Sequence, residues 1–561
     1  MDRKEMDLWQ LWRERDLEDA DLATELEDMK RDRGRIEDCF YRELEFGTGG
    51  LRGVIGAGTN RINIYTIGKA TQGYSNYLLK QAGQVSVAIA YDSRIKSDVF
   101  AKKAAEVFAA NDIKVYLYPE LMPTPALSFA VRQLHCQGGV VITASHNPAK
   151  YNGYKVYGAD GCQITTAAAD QILEEIKNID LFNDVRNIDF DLAVGQGKIV
   201  FIGEDIVTAY IDAVSRESLC PDDLDKNVSI VYTPLNGAGL KCVTRALKEN
   251  GFVNVSIVSE QEKPDGNFPT CPYPNPEIEE ALKLGLRDAK KLGSDLLLAT
   301  DPDCDRVGIA VKGKDDYVLV SGNEVGMLLL NYICQRRITL AKMPDAPILV
   351  KTIVTIDMAN RIAKDYRVET IDVLTGFKFI GEQIGILEMC GEEQRYIFGF
   401  EESYGYLTGG YVRDKDAVNG SLMICEMFAY YKSLGQSLLD VLNLLYEKYG
   451  YCLNTLHSYT FEGANGFEQM QRIMSRLREE APDQIAGRQV LVLKDYAKGL
   501  DGLPKSNVLK FLIADNASIV VRPSGTEPKL KLYFSVSAKE KEMAADLEKM
   551  FVKEMEAFLD S

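Results

Sequence analysis

The chain has 561 residues, 46% of them hydrophobic and 26% charged, with a formal net charge of −18. That length exceeds a single core and predicts roughly three to five domains; no stretch is long and uncharged enough to span a bilayer, and so acidic a chain is a poor partner for nucleic acid. Eleven cysteines are scattered with no Cys-x-x-Cys pair, which predicts reduced core thiols rather than disulfides or a cysteine zinc site, and no apolar signal region follows Met1, so a cytoplasmic location is expected.

Residues 1–45 alternate acids and bases with apolar residues at helical spacing (Leu8, Leu11, Trp12, Leu22, Leu26, Met29). This pattern predicts one or two amphipathic helices on the outside of the first domain. Phe46-Gly47-Thr48-Gly49-Gly50-Leu51-Arg52-Gly53 follows. Its backbone can approach a ligand with Arg52 as an anion-binding fork, or its glycines can serve tight turns alone. A helix over 66–81, a strand over 85–90 ending in Tyr91-Asp92-Ser93-Arg94, a helix over 97–111, a strand over 114–118 and a helix over 123–132 come next. The β-branched run ending at Ile142 then delivers Thr143-Ala144-Ser145-His146-Asn147-Pro148. Asn-Pro stops that strand, so Ser145 is predicted to stand fixed and exposed, as a nucleophile beside His146 and Lys155 or as a turn hydroxyl.

The alternation of helix and strand recurs, which argues α/β architecture with mainly parallel sheets. A second unit carries a helix from 204, a strand over 228–232, a glycine-bearing turn at 233–239, a helix and strand to 258, a Pro/Gly/Asn-rich stretch at 261–275 predicted on the surface, a helix over 277–291 and a strand over 295–300. That strand runs into Asp301-Pro302-Asp303-Cys304-Asp305-Arg306. Carboxylates at alternate positions can converge on one hard cation, magnesium shared with a phosphate above all, with Arg306 beside that phosphate; a solvated acidic turn is the bland alternative.

A third unit begins with a strand over 317–320, continues through a helix over 324–334 and a strand over 347–351, and reaches a strand over 396–399. It ends in Gly399-Phe400-Glu401-Glu402-Ser403-Tyr404, where Glu401 and Ser403 can face one side toward vicinal hydroxyls. Arg413-Asp414-Lys415-Asp416 and two helices complete it. From about 450 the order of strands and helices changes to that of an antiparallel sheet with helices on one face. It contains Arg522-Pro523-Ser524-Gly525-Thr526-Glu527-Pro528, either a phosphate nest or a plain hairpin turn.

These four motifs, in this order, closely resemble those of the α-D-phosphohexomutase superfamily, the phosphoglucomutase and phosphomannomutase relatives, over roughly residues 40–555. The resemblance implies a heart-shaped, four-domain molecule: 1–204 with the helical extension and phosphoserine domain, 205–318 with the metal domain, 319–449 with the sugar domain, and 450–561 as a C-terminal α+β domain with an antiparallel sheet. It implies phosphorylated Ser145, one Mg2+ on Asp301, Asp303, Asp305 and the phosphoserine oxygen, and glucose 1,6-bisphosphate as activator. Lys155, Arg52, His146 and Lys415 are then implied at the reacting centre. Arg306, Thr375, Lys378, Glu401, Ser403 and Lys415 with the loop Arg522, Ser524, Gly525 and Thr526 are implied to bind a phosphorylated monosaccharide. The partner is a small sugar phosphate, not nucleic acid or membrane, and the chain is expected as a monomer or homodimer.

Tyr404 stands where the phosphomannomutase and phosphoglucosamine branches usually have glycine, which makes the sugar loop more similar to the glucose-handling branch. Thr375-Gly376-Phe377-Lys378 resembles a subgroup that includes bacterial phosphoglucomutases and phosphopentomutases. Interconversion of glucose 1-phosphate and glucose 6-phosphate is the first expectation; ribose or deoxyribose 1-phosphate, or a broader range including mannose phosphate, is the alternative. An inactive relative is expected to have lost Ser145 or an aspartate, and an aspartyl phosphatase has no need of the serine loop. Cys304 is expected to point away from the metal.

Overall fold

The computed structural model describes residues 3–47, 49–221, 223–461, 466–500, 502–524 and 529–560. Four sheets follow one another along the chain. The first holds, in spatial order, Gly50–Val54, Tyr151–Gly158, Gly138–Ile142, Ser86–Tyr91, Lys114–Leu117 and Ile199–Phe201. Its last four strands are mutually parallel, and Tyr151–Gly158 runs antiparallel to both of its neighbours. Buried Val87, Ala88, Ile89, Val140, Val141 and Ile142 form near-continuous apolar runs, as strands covered on both faces require.

The second sheet orders Tyr317–Val320, Val307–Lys312, Leu296–Thr300, Ile230–Thr233 and Val255–Ile257, and the third Glu369–Val373, Ile348–Thr352, Tyr396–Glu401 and Gly405–Leu407. Both mix parallel and antiparallel pairs. The fourth, from Tyr451–Thr460 to Lys529–Ala538, is antiparallel throughout the described pairs, with the helices Gly466–Glu479 and Lys541–Asp560 contributing to its core.

One local pattern occurs in each of the first three sheets. A buried parallel strand ends, one residue of the following loop adopts a left-handed conformation, and the chain returns antiparallel beside it. The left-handed residues are Ser145 (φ 51°), Cys304 (φ 52°) and Tyr404 (φ 64°). Side chains other than glycine take this geometry less often and pay about 1–3 kcal/mol for it, and here it falls at the same place within three of the motifs. The internal repetition is therefore geometric.

Two expectations are corrected and one is refined. The strand Tyr317–Val320 pairs with Val307–Lys312 at the edge of the second sheet, so a division at 318 cuts a strand and the third unit begins after it. The stretch 261–275 lies at the surface, with Glu262, Lys263, Pro264, Asn267, Pro269, Pro272 and Tyr273 exposed, but Gln261, Phe268 and Cys271 are buried and anchor it on the turn after Ile230–Thr233. In the N-terminal helices Arg3–Arg13, Ala20–Asp28 and Arg33–Phe40, Trp9 and Trp12 face the core and Leu11 is exposed; Trp12 packs edge-on against Phe40, Tyr65 and Phe182. No helix among the described residues is long and apolar enough to cross a membrane.

Candidate active site

The serine loop is built before Ser145 is reached. Thr143 Oγ1 donates to Asp92 Oδ2 at 2.6 Å and accepts from the Ser145 amide at 2.8 Å. Buried Arg94 donates through Nε to the Ser145 carbonyl at 3.1 Å and through Nη1 to the carbonyls of Pro148 and Tyr151, each at 3.0 Å; its Nη2 reaches the carbonyls of Ser145 and Asn147. Asp92 in turn accepts from the Arg94 amide and from Ser97 Oγ. One guanidinium thus satisfies carbonyls that a loop of this shape could not pair internally.

Ser145 Oγ lies 2.9 Å from Asp301 Oδ2 and 3.0 Å from His146 Nδ1. The expectation of an exposed hydroxyl is corrected: Ser145 is 4% exposed, because the acidic loop closes over it. Burial, with the Arg306 and Arg52 charges, pushes His146 down to about 2, so the ring is neutral under ordinary conditions.

Asp301, Asp303 and Asp305 present ligand oxygens within 4.8 Å of one another, all buried. Asp301 Oδ1 accepts from the amides of Asp305 and Arg306 at 3.1 and 3.0 Å, which curls the loop. Asp303 Oδ2 accepts from Lys155 Nζ at 2.7 Å and Thr124 Oγ1 at 3.0 Å; Asp305 Oδ2 lies 2.8 Å from Lys415 Nζ and 3.4 Å from Lys155 Nζ. Asp303 Oδ1 and Asp305 Oδ1 are buried without a hydrogen-bond partner. Orphaned carboxylate oxygens beside Asp301 Oδ2 and a serine hydroxyl form an all-oxygen donor set, which fits a hard divalent cation. Cys304 points the other way: a Cβ placed on Gly239 would sit 2.9 Å from its sulfur.

Burial, then the charges of Asp305 and Asp303, pushes the Asp301 carboxyl well up. Burial would raise Asp303 too, but the Lys155 ammonium and its hydrogen bond hold it below the usual carboxylate range. Lys155 and Lys415 lose solvent, yet the carboxylates beside them raise both above an ordinary lysine. Both are therefore cations.

Above this cluster opens a cleft of about 410 Å3 lined by Arg52, His146, Lys155, Arg306, Thr375, Glu401, Ser403, Lys415 and Arg522 among others. This volume is in the range of small-molecule sites. Arg52 Nη1 donates to Asn147 Oδ1 at 3.3 Å, and Arg306 Nη1 to Glu277 Oε1 at 2.6 Å. Thr375 Oγ1 has no hydrogen-bond partner. Burial lifts the Glu401 carboxyl to about 7 although Lys415 opposes the shift. Glu401 and Ser403 line the cleft while Glu402 faces a second cavity, as their alternation predicts. Lys415 passes over Gly405, where a Cβ would meet its Cδ at 2.6 Å.

Not every expected residue converges here. Lys378 lies outside the cleft lining, with its ammonium 5.2 Å from the centroid of the Phe379 ring. Ser524 is also outside the lining; its amide donates to the Lys529 carbonyl at 2.7 Å. Gly525 and Thr526, like Thr48 of the glycine-rich run, fall outside the described residues.

Several residues escaped the sequence reading. Tyr157 OH donates to Asp414 Oδ2 at 2.7 Å, which fixes the segment carrying Lys415. Lys531 faces Arg522 directly across two antiparallel strands, and burial together with the Arg522 and Lys529 charges lowers it. Only pairing register brings those cations together. Arg94 had a visible signal, an acid and a base two apart after a buried strand, but nothing in the sequence says which carbonyls it holds.

Comparison with known proteins agrees along the chain. Residues 43–182, 208–314 and 321–449 match the alpha/beta/alpha domains I, II and III of phosphoglucomutase/phosphomannomutase, and 472–554 match its C-terminal domain. A protein named phosphoglucomutase from Staphylococcus saprophyticus is 37% identical over 513 residues, covering 89% of this chain and 91% of that one. Another so named, from Staphylococcus haemolyticus, is 36% identical over 514 residues, covering 89% and 92%. In fold the chain is similar to a phosphoglucomutase/phosphomannomutase family protein from Burkholderia thailandensis (TM-score 0.68, 19% identity, 91% of this chain and 97% of that one). It is similar to the same degree to parafusin, a phosphoglucomutase from Paramecium, in an open form (TM-score 0.68, 18% identity, 92% and 96%).

Proposed function

The chain belongs to the phosphoglucomutase/phosphomannomutase family, and on that premise we propose that it interconverts glucose 1-phosphate and glucose 6-phosphate through phosphorylated Ser145 and a glucose 1,6-bisphosphate intermediate. It is a phosphosugar mutase. The observation that carries the reading is the position of Ser145 Oγ, 2.9 Å from Asp301 in a buried three-carboxylate cluster and at the floor of a cleft edged by Arg52, Lys155, Arg306, Lys415 and Arg522. A chain of net charge −18 has gathered cations here, as a phosphate-bearing substrate requires.

Phosphorylated Ser145 gives its phosphoryl group to the free hydroxyl of the bound sugar monophosphate: the P–Oγ bond breaks as the bond to the sugar oxygen forms. The bisphosphate then presents its other phosphate, and Ser145 Oγ takes that group back. The attacking hydroxyl loses a proton and the departing Oγ gains one. Lys155 and Glu401 line the cleft and can carry protons, Glu401 being lifted to about 7, while neutral His146 supports the loop with Nδ1 3.0 Å from Oγ. A magnesium ion on Asp301, Asp303, Asp305 and the phosphoserine oxygen would spread the charge of the transferring group. Arg522, with Lys531 behind it, holds the phosphate that is not reacting, and Glu401 and Ser403 meet the sugar hydroxyls.

The test incubates magnesium-loaded protein with glucose 1-phosphate or ribose 1-phosphate and a trace of glucose 1,6-bisphosphate, followed by phosphorus NMR. Rapid formation of glucose 6-phosphate that Ser145→Ala abolishes supports the proposal. Faster formation of ribose 5-phosphate moves the chain to pentose phosphates, and net release of inorganic phosphate without isomerisation refutes a mutase.

A further inference from the structure

The segment 261–275 of the second domain packs between the turn 233–239 and Arg94–Ile95, the two supports on which the acidic loop and the serine loop rest. It rests on the turn 233–239: Asn236 Nδ2 donates to the Lys263 carbonyl at 2.8 Å, the Asp265 amide donates to the Asn236 carbonyl at 3.1 Å, and Thr233 Oγ1 donates to Gln261 Oε1 at 2.7 Å. That same turn is pressed on the acidic loop. The Ala238 amide donates to the Pro302 carbonyl at 2.8 Å, and a Cβ on Gly237 would lie 2.4 Å from Pro302 Cα. No side chain fits between them.

On its other side the segment meets Arg94. The Phe268 ring centroid lies 5.1 Å from the guanidinium carbon, and a Cβ on Gly266 would come within 2.4 Å of the Ile95 amide nitrogen and 2.8 Å of the Arg94 carbonyl carbon. Phe268 is 1% exposed and held at φ 46°, a geometry that a bulky residue keeps only where its surroundings over-determine it. Arg94 is the residue whose guanidinium holds the carbonyls of Ser145, Asn147, Pro148 and Tyr151. The second domain therefore supports the acidic loop with one end of this unit and the serine loop with the other.

We propose that residues 261–275 act as a spacer that sets the Ser145–Asp301 separation, with Phe268 as a positioning residue that acts through Arg94. Phe268 touches neither substrate nor the reacting atoms. It presents an aromatic face to a cation enclosed by backbone carbonyls, where such a contact is worth most. The spacing it guards is the one that near-attack geometry depends on, and errors of about 1 Å in such geometry cost on the order of 100-fold in rate.

The experiment compares wild type, Phe268→Leu and Phe268→Tyr as full-length, magnesium-loaded proteins, in two measurements. The first is steady-state isomerisation of glucose 1-phosphate, which rests on the mutase reading. Loss of the aromatic face in Phe268→Leu lowers kcat by about 30-fold and leaves KM within about twofold, because no group that binds sugar has moved; Phe268→Tyr, which keeps the ring, recovers most of kcat. The second is amide hydrogen exchange by mass spectrometry, which needs no substrate. In Phe268→Leu, peptides covering 143–151 exchange about 30-fold faster while those covering 509–521 of the fourth sheet are unchanged.

Wild-type protection of 143–151 in Phe268→Leu overturns the proposal, as does faster exchange spread equally over 509–521, which marks general destabilisation. A fall in kcat/KM through KM alone also overturns it. If wild type isomerises no sugar phosphate, the mutase reading fails and the exchange measurement still decides the spacer. Should Phe268→Leu fail to fold, Gly266→Ala, whose added methyl displaces the Ile95 backbone, is expected to give the same selective loosening of 143–151, and its absence there overturns the proposal.

Discussion

Asp357 ties the fourth sheet to the third, and Asp357→Asn removes its charge with little change of shape. Asp357 Oδ1 accepts from Lys510 Nζ at 3.0 Å and lies 3.5 Å from Lys351 Nζ, and Oδ2 accepts from Ser518 Oγ at 2.6 Å. Lys351 and Lys510 are 0% and 3% exposed. Lys351 keeps a second partner in Asp372 at 2.9 Å, whereas Lys510 keeps the Ile353 carbonyl at 3.0 Å and pairs with no other carboxylate among the described residues. Uncoupling one member of a buried ion pair costs about 3–5 kcal/mol; the asparagine oxygen still accepts one bond, so the lower figure, about 3 kcal/mol, applies. At about 4 °C per kcal/mol for a domain the length of 450–561, the transition that releases the fourth domain falls by about 12 °C. A chain with four sheets unfolds in more than one step, so calorimetry should show this step moving away from the rest.

The same variant reports on the site. Ser518 and Arg522 share the strand Ala517–Pro523, so loosened docking raises KM for the sugar phosphate more than it lowers kcat. Burial alone would raise Asp357, but Lys510 and Lys351 hold it below the usual carboxylate range. A depressed acid stabilises above its unfolded value, 3.8, and that contribution is lost as pH falls through the folded value. Wild type should lose its advantage over Asp357→Asn as the pH is taken below about 4. Identical melting profiles and identical KM at neutral pH would refute the reasoning.

Other outcomes follow from the same geometry. Ser145→Ala should retain the wild-type melting profile while isomerisation falls by at least about 10^4-fold, measured by a coupled assay. Chelation should abolish turnover and magnesium restore it, and Asp303→Asn should raise the magnesium required by more than the roughly 10–100-fold that outer partners of a metal site contribute. Lys531→Met, which removes the cation paired across the strands with Arg522, should raise KM with kcat nearly unchanged; a fall in kcat alone would remove Lys531 from the phosphate site. Glu401 is raised from 4.5 to about 7, so its contribution to stability is full below 4.5 and is lost as pH rises through 7. Thermal melts of Glu401→Gln should lack that loss.

The motifs were legible because each combines a local conformational demand with a chemical one. Strand, polar loop and proline placed Ser145 at a turn, and alternate aspartates after an apolar strand announced a cation site. Arg52, read locally as an anion-binding fork, reaches the cleft, and so does Thr375, which only the resemblance implied. Lys378 did not, since it sits on a helix, Phe377–Met389, whose rotation the local sequence leaves open. Composition placed the loop 261–275 at the surface, but because it reports solvent preference residue by residue it could not show that Phe268, Gln261 and Cys271 are buried within it.

By itself the sequence determined the elements, their α/β alternation and the change of pattern near 450, and it singled out candidates for the nucleophile, the metal ligands and the sugar loop, all of which depend on neighbours within a few positions. Only the tertiary structure decided which groups meet: Lys155 with Asp303, 148 positions away, Arg94 with the Ser145 carbonyl, Lys531 with Arg522, Asp357 with Lys510. Period and propensity act along the chain, whereas burial of charge is settled between distant segments. A buried ammonium or carboxylate is stable only beside its partner, and strand register and the packing of one sheet on another select that partner.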